Sequence, residues 1–588
     1  MIARHRLVLS LLGVGAVSSV LAFAAIGVGG PDDAYITDWV AQRFAETGRI
    51  VNYNDSPIEQ STSLLHVIVL GTARWVTRIP VPVLGYLVGF VALIATIVGV
   101  GLWTREINAR APLIAALLAA AAFPLLYWAT SGLETLLVSA LLLWFLLRFF
   151  RFLVTPDQVK REGILLGIVT LLLAGSRPDA ILLVVGLLGL VVSVAFLGSR
   201  GPRFVSRSLP VVALRRSCLA AVPASVAIGI VEGVRFALFD ALVPQPVEAK
   251  TGSALRISAV RSGWDYLDAS LQPRWLWIPV IVLAGRGVWI VFRSRSLAGW
   301  ITVLTAALGV GIVVVSGGDW MGAARFLVPS LALLFVLAAI GIVSLRAIGR
   351  PHVTSGWRRL VSSPAPIAVA TVLVLVLELA ALSVFVRDAS TLHGEWTFNN
   401  GSPVTDSFSL RVPPHGPSID IPASIPWYQR RNAPHLRDAI FLDRGMPRIA
   451  EIIRRMPNPR EQLTIGSGQA GLLPYDILDR FPGRVRFIDR GNLTTADFAK
   501  CPGRKHSTTG LVIIYGYWFK HAGECAPPMP DVIIDIGLFR KTKVLAQKYD
   551  LIYQQFYVIE RKGLFPPFTA AMFLAVRKGF LPAVDTAR

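Results

Sequence analysis

Over the first two thirds of the chain, apolar residues run on without the regular polar interruptions of a helix or strand that faces water. Stretches of about 20 or more such residues cross a hydrocarbon layer roughly 30 Å thick. They recur at 7–29, 82–103, 111–130, 134–153, 178–197, 209–238, 275–293, 297–316, 323–345 and 365–386, with a shorter one at 163–175. The pattern predicts about eleven transmembrane helices. After residue 388 Pro, Asn, His and Asp return, and short apolar runs such as Leu511 to Tyr515 and Val532 to Ile536 read as buried strands. The expectation is a polytopic α-helical membrane domain over 1–387, followed by a soluble α/β domain over 388–588.

Composition agrees. The 588 residues are 54% hydrophobic and 16% charged, with mean hydropathy +0.59, which excludes an ordinary soluble domain of this size. The arginines set an orientation, because short cytoplasmic loops retain Lys and Arg. Arg4 and Arg6 put the N-terminus inside. Arg105/Arg110, Arg151/Lys160/Arg161, the Arg200–Arg216 cluster, Arg293/Arg295 and the Arg346–Arg359 cluster then share that side if eleven spans alternate. The assignment requires 64–80, with Arg74, Trp75 and Arg78, to be an amphipathic helix on the outer surface. It places the C-terminal domain on the extracytoplasmic side of the membrane. The first segment exceeds 20 residues and reads as an uncleaved anchor rather than a signal peptide.

The net charge of +22 does not imply nucleic acid, since most of it sits in the positive-inside loops and only about +8 falls in the C-terminal domain. Three cysteines are too few for a disulfide framework. Cys218 reads as inert core, and Cys501 and Cys525, both in the exported domain, are positioned to pair if the compartment is oxidising.

Polar clusters at span ends need a reason, because ionisable groups at membrane depth cost roughly 2.5 kcal/mol or more each. Six clusters fall on the outer face of this topology: Asp32-Asp33 with Tyr35; Glu59 to Ser63; Ser131 to Glu134; Ser176 to Asp179 with Arg177; Lys250; and Gly317-Gly318-Asp319-Trp320 with Arg325. Taken singly each could be an interfacial cap, and the competing role of Asp32 and Asp33 is to cap a helix N-terminus. Together they suggest a site. Paired carboxylates can supply a general base with a second carboxylate to orient it, or hold a divalent cation such as Mg, Mn or Ca. Arg325, Lys250 and Arg177 supply cations for a donor phosphate. Tyr35, Glu59, Glu134, Asp319 and Trp320 are candidate substrate contacts. Acid, cation and membrane together suggest sugar transfer from a lipid phosphate.

The ordered set resembles the GT-C superfamily of membrane glycosyltransferases, and within it the mycobacterial terminal β-(1→2)-arabinofuranosyltransferase family. It comprises Asp32-Asp33-Ala34-Tyr35-Ile36-Thr37, Glu59 to Ser63, Ser131-Gly132-Leu133-Glu134, Arg177-Pro178-Asp179, Ala249-Lys250-Thr251-Gly252 and Gly317 to Met321 with Arg325 to Pro329. In the outer domain Ala470 to Tyr475, then Ile488, Asp489, Gly491 and Leu493, are similar to the family's tail motif. Gln60 and Ser61 depart from the glycine and aromatic expected there. The resemblance implies a polyprenyl-phosphate arabinofuranose donor and a cell-wall arabinan acceptor.

One run invites another reading. Gly466-Ser467-Gly468-Gln469-Ala470-Gly471 matches G-x-G-x-x-G with Asp489 about 20 residues on, a dinucleotide fingerprint. An extracytoplasmic domain has little access to NAD, so a tight strand-to-helix turn on the membrane side of the domain is expected instead. Two alternatives to the transferase stand: a transporter or flippase of a lipid-linked sugar, favoured by two half-length spans around Arg177, and a non-catalytic assembly protein.

Overall fold

The computed structural model describes residues 2–29, 31–200, 211–251, 257–271, 274–319, 321, 323–345, 365–387, 391–398, 407–411, 433–456, 458, 460–491, 494–495, 518, 520–536, 543–560 and 568–580. Helices come first in the chain: α1 (Ile2–Ala25), α2 (Asp32–Thr47), α3 (Leu64–Thr77), α4 (Val81–Ile107), α5 (Pro112–Ala121), α6 (Phe123–Ala129), α7 (Thr135–Val154), α8 (Val159–Ser176), α9 (Pro178–Arg200), α10 (Val211–Phe239), α11 (Gln245–Thr251), α12 (Ile257–Ser270), α13 (Arg274–Ser294), α14 (Leu297–Ser316), α15 (Val328–Val343) and α16 (Ala365–Arg387). Each of the eleven apolar stretches coincides largely with helix. Among the described residues, seven helices are long and apolar enough to cross a membrane, or eight if the bent pair α5 and α6 is one span.

That pair is one of two departures from the expected spans. The stretch 111–130 breaks at Ala122, which has ψ 112°, and α6 turns away from α5 by 64°. The Phe123 N–H at the break donates to a carboxylate oxygen of buried Glu378 on α16, 3.2 Å away. A backbone donor freed by a break in a span needs such a partner, because no water is there to take it. The other departure lies around Arg177. The two half-length spans expected there are helices of 18 and 23 residues, divided by Arg177 in extended backbone.

The bundle packs closely where side chains are absent. A Cβ on Gly287 of α13 would lie 2.0 Å from the Leu337 carbonyl oxygen of α15, and one on Gly341 2.0 Å from that of Leu283. Small residues let helix backbones meet without a hydrophobic drive between them, as expected in lipid. The buried core centres on Trp103, Phe145, Phe149 and Phe335, while one side of α10 presents Val222, Val226 and Ile230 outward. Cys218, expected as core, is free and exposed on that helix.

The C-terminal region is a seven-stranded mixed sheet with α17 (Ala433–Arg455), α18 (Leu472–Arg480) and α19 (Lys543–Lys548). Its strands are β1 (Thr391–Phe398), β2 (Ser407–Arg411), β3 (Leu463–Ser467), β4 (Val485–Asp489), β5 (Val532–Ile536), β6 (Tyr549–Glu560) and β7 (Phe568–Arg577), in the order β2-β1-β6-β7-β5-β3-β4. The run 532–536 is a strand as expected, and 511–515 lies outside the described residues. β3 runs parallel to β4 and β5, and the other pairs are antiparallel. Cys525 is disulfide-bonded; Cys501 lies outside the described residues.

The sheet sits on the first loop of the membrane domain. Tyr35 and Trp39 of α2 and Tyr53 beyond it belong to the same buried cluster as Leu463, Ile465, Leu472 and Phe487. Hydrogen bonds fix the seam. Tyr53 Oη donates to the Ala470 carbonyl (2.6 Å), Asn52 to that of Thr494 (3.0 Å), and Gln42 to Asp479 (2.9 Å). The Asn54 side-chain amide donates to the Phe487 carbonyl (2.7 Å) and accepts from the Phe487 N–H (3.0 Å).

Candidate active site

Pro31 is extended and α2 starts at the next residue, so both aspartates lie in its first turn, where carboxylates complement the helix dipole. Successive helical residues point about 100° apart. The two carboxylates therefore diverge. Asp33 faces the bundle, where its Oδ2 is 3.5 Å from Arg325 Nη1, while Asp32 turns to the outer domain and accepts the Gly471 and Leu472 N–H groups.

Arg325 collects the site. Besides Asp33, its guanidinium meets Asp319 Oδ2 at 3.3 Å and Glu134 Oε1 at 3.4 Å, and it lies over the Trp128 and Phe326 rings. The same Glu134 oxygen accepts from Arg177 Nη1 at 2.9 Å, so one carboxylate bridges the two arginines. Arg177 also donates to Asp179 at 2.8 Å and stacks 4.4 Å from the Phe326 ring centroid. Four of the six clusters thus converge: Asp33, Glu134, Arg177 and Asp319 with Arg325.

The backbone presenting Arg325 is unusual. Ala323 and Ala324 both have positive φ, 53° and 55°, which an L-residue with a Cβ adopts only at a cost of about 1–3 kcal/mol. Such strain is a feature of functional sites. The Trp128 indole N–H donates to the Ala323 carbonyl (2.7 Å) and the Tyr266 hydroxyl accepts the Phe326 N–H (3.2 Å), so the turn is held from both sides.

Distances separate the two arginines. Arg177 has bonds of 2.8 and 2.9 Å, typical of charge-assisted pairs. Arg325 has only contacts of 3.3–3.5 Å to carboxylates, and its Nε, buried, has no hydrogen-bond partner among the described residues. Arg177 is therefore fixed, whereas Arg325 is aligned but has donor capacity left over. Of the three carboxylates round Arg325, Asp33 is 22% exposed and the other two 2% each. Asp33 is the one that an incoming molecule can reach.

The other candidates lie elsewhere. Glu59 is buried against Arg235 of α10, 2.7 Å away, and serves to tie the first loop to the bundle. Burial pushes its carboxyl up to about 7 against the pull of Arg235. Tyr35 is buried with its ring 5.5 Å from that of Tyr475, at the seam between the two halves. Lys250 lies on the short helix α11, its side chain outside the described residues, as is Trp320 altogether.

Sequence reading missed Arg235, Trp128 and Asp38, and gave Phe326 no role beyond its place in the run Arg325 to Pro329. A Glu and an Arg three residues apart, Glu232 and Arg235, in an otherwise apolar stretch were the available signal. Asp38, on α2 beyond Asp33, is buried, and burial pushes its carboxyl well above the usual range. Asp32 and Asp33 point apart, a guanidinium fills the centre of the Asp33, Asp319 and Glu134 group, and no group of three His, Cys, Asp or Glu among the described residues is arranged to hold a metal.

No family model and no curated protein matches the sequence. Solved structures do. ArnT from Cupriavidus metallidurans, bound to undecaprenyl phosphate, is 10% identical over 98% of this chain and 99% of that one, with TM-score 0.47. The archaeal oligosaccharyltransferase AglB from Archaeoglobus fulgidus, in complex with an inhibitory peptide and a dolichol-phosphate, is 12% identical over 96% and 75%, with TM-score 0.49. The arabinosyltransferase EmbB from Mycobacterium smegmatis is 13% identical over 67% and 45%, with TM-score 0.34. None of these likenesses reaches a TM-score of 0.5, and the chemistry is carried by the side chains of the site.

Proposed function

We propose that the chain is a glycosyltransferase that moves a sugar from a polyprenyl-phosphate donor to a cell-envelope glycan on the outer face of a bacterial plasma membrane. The sugar is arabinofuranose by the sequence resemblance. One observation supports the reading: Arg325, whose buried Nε has no hydrogen-bond partner among the described residues, stands beside a reachable carboxylate, Asp33, at the ends of membrane-spanning helices.

Asp33 accepts the proton of the acceptor hydroxyl as its oxygen bonds to the anomeric carbon of the sugar. The bond from that carbon to the phosphate oxygen breaks, and the electron pair leaves with the lipid phosphate. Arg325 stabilises the charge that develops there, with Lys250 as a further cation from the outer loop. Glu134 holds Arg325 and Arg177 in register. A bilayer-borne donor reaches such a site laterally, so no nucleotide-sugar pocket is required.

The transporter alternative keeps two features: the helices that meet at Arg177, neither of them among the seven long apolar ones, and the broken span at Ala122, which transporters also use. Purified protein in nanodiscs, given a synthetic polyprenyl-phosphate arabinofuranose and an arabinan oligosaccharide, is expected to release polyprenyl phosphate and extend the acceptor by one residue, read by mass spectrometry. Donor movement across proteoliposomes with no extended acceptor would establish transport in its place.

A further inference from the structure

The glycine-rich run 466–471 has the surroundings of a phosphate-binding turn. It leaves parallel strand β3, opens helix α18 and returns to parallel strand β4, which ends in Asp489. The first N–H groups of a helix lack intrahelical partners and carry partial positive charge, which is why such turns bind anions. In this chain the anion is supplied from within. Asp32 Oδ2 accepts the Gly471 N–H at 3.0 Å and Oδ1 accepts the Leu472 N–H at 2.8 Å, across 440 residues of sequence.

The rest of the turn fits that occupant. A Cβ on Gly471 would lie 1.8 Å from the Asp32 carbonyl oxygen, so the close approach requires glycine there. Asp489, the acid a dinucleotide site would offer to a ribose, is engaged in its own loop, accepting the Gly491 N–H (2.6 Å) and the Thr494 N–H (3.0 Å) and hydroxyl (3.2 Å). A Cβ on Gly468 would run into the Arg490 guanidinium, itself paired with Asp535. The fingerprint is a socket for a carboxylate of the same protein.

We propose that Asp32 is a positioning residue: seated in the glycine-rich socket, it fixes the first turn of α2 and so holds Asp33 against Arg325, making the geometry of the reacting groups depend on the docked outer domain. This rests on the reading of Asp33 as the base. Adjacent residues in one helical turn cannot move independently, so loss of the Asp32 seat displaces Asp33 as well.

The test uses the full chain in nanodiscs and two readouts: sugar transfer, and cross-linking of a cysteine pair introduced as Gln42→Cys and Asp479→Cys, positions bonded at 2.9 Å across the seam. Asp32→Asn keeps shape but exchanges two charge-assisted bonds for weaker ones, and Gly471→Ala disturbs the socket without touching Asp32. Both are expected to lower cross-linking and to cut turnover by roughly 10-fold or more, whereas Asp33→Asn lowers turnover by about 10²- to 10⁴-fold with cross-linking intact. If Asp32→Asn abolishes turnover while cross-linking stays normal, and Gly471→Ala is harmless, Asp32 acts in the chemistry and the proposal fails. Full turnover in Asp33→Asn, with cross-linking lost in the other two, overturns the assignment of the base and leaves the socket standing.

Discussion

Asp33 and Arg325 are the residues on which substitution should separate chemistry from binding. An amide cannot take up the acceptor proton, so Asp33→Asn is expected to lower turnover by about 10²- to 10⁴-fold while donor affinity, measured by titration with the lipid phosphate, stays near wild type. Arg325→Ala should act on both. It removes the unspent donor and leaves Asp319 and Glu134 buried beside each other without their shared cation, so weaker donor binding and a lower melting temperature are expected together. Arg325→Lys keeps the charge and loses the planar fork; it should recover stability more than turnover. Normal donor affinity in Arg325→Ala would remove that arginine from the phosphate site. Sequence order brought Asp33, Glu134, Arg177, Asp319 and Arg325 onto one face, because polar residues at span ends stand out against apolar neighbours. The division of labour between Asp32 and Asp33 was not legible, since it depends on Gly471 and Leu472, 439 and 440 residues away.

Among the elements, the long apolar helices could be read directly, because length and composition alone fix a span. Helix α2 could not. Asp32 and Asp33 after a proline are a helix-start signal, but the apolar face formed by Tyr35, Trp39 and Val40 packs on partners that no local pattern reveals. The loop after it is secured by Glu59 and Arg235, a pair 176 residues apart. That tie carries a pH signature. The Glu59 carboxyl is raised from its ordinary 4.5 to about 7 in the native protein. Between those values the folded state holds a proton that the unfolded chain has released, so the contribution to stability is fully present below 4.5 and is lost as pH rises through 7. Melting temperature followed from about pH 4.5 to 7.5 should fall more steeply in wild type than in Glu59→Gln. Parallel curves would show that the Glu59 carboxyl is not raised in the native protein.

At the scale of the whole molecule, the orientation read from the arginines is open to direct labelling. Single cysteines replacing exposed Asp55 and Asp268 should react with an impermeant maleimide in intact cells, and those replacing Arg110, Asp157 and Arg295 only after permeabilisation. Reaction of Arg110→Cys from outside would invert the topology. The seam has a consequence for any attempt to study the outer domain alone. β4 is the terminal strand of the sheet, and the Phe487 N–H and C=O on its open side are both taken by the side chain of Asn54, which stands in for a neighbouring strand. A fragment beginning at 388 would leave that edge unguarded beside the apolar surface that Tyr35, Trp39 and Tyr53 otherwise cover, and bare edges recruit other chains. Such a fragment is expected to elute as aggregate in size-exclusion chromatography, and co-expressed residues 1–387 should return it to a defined complex.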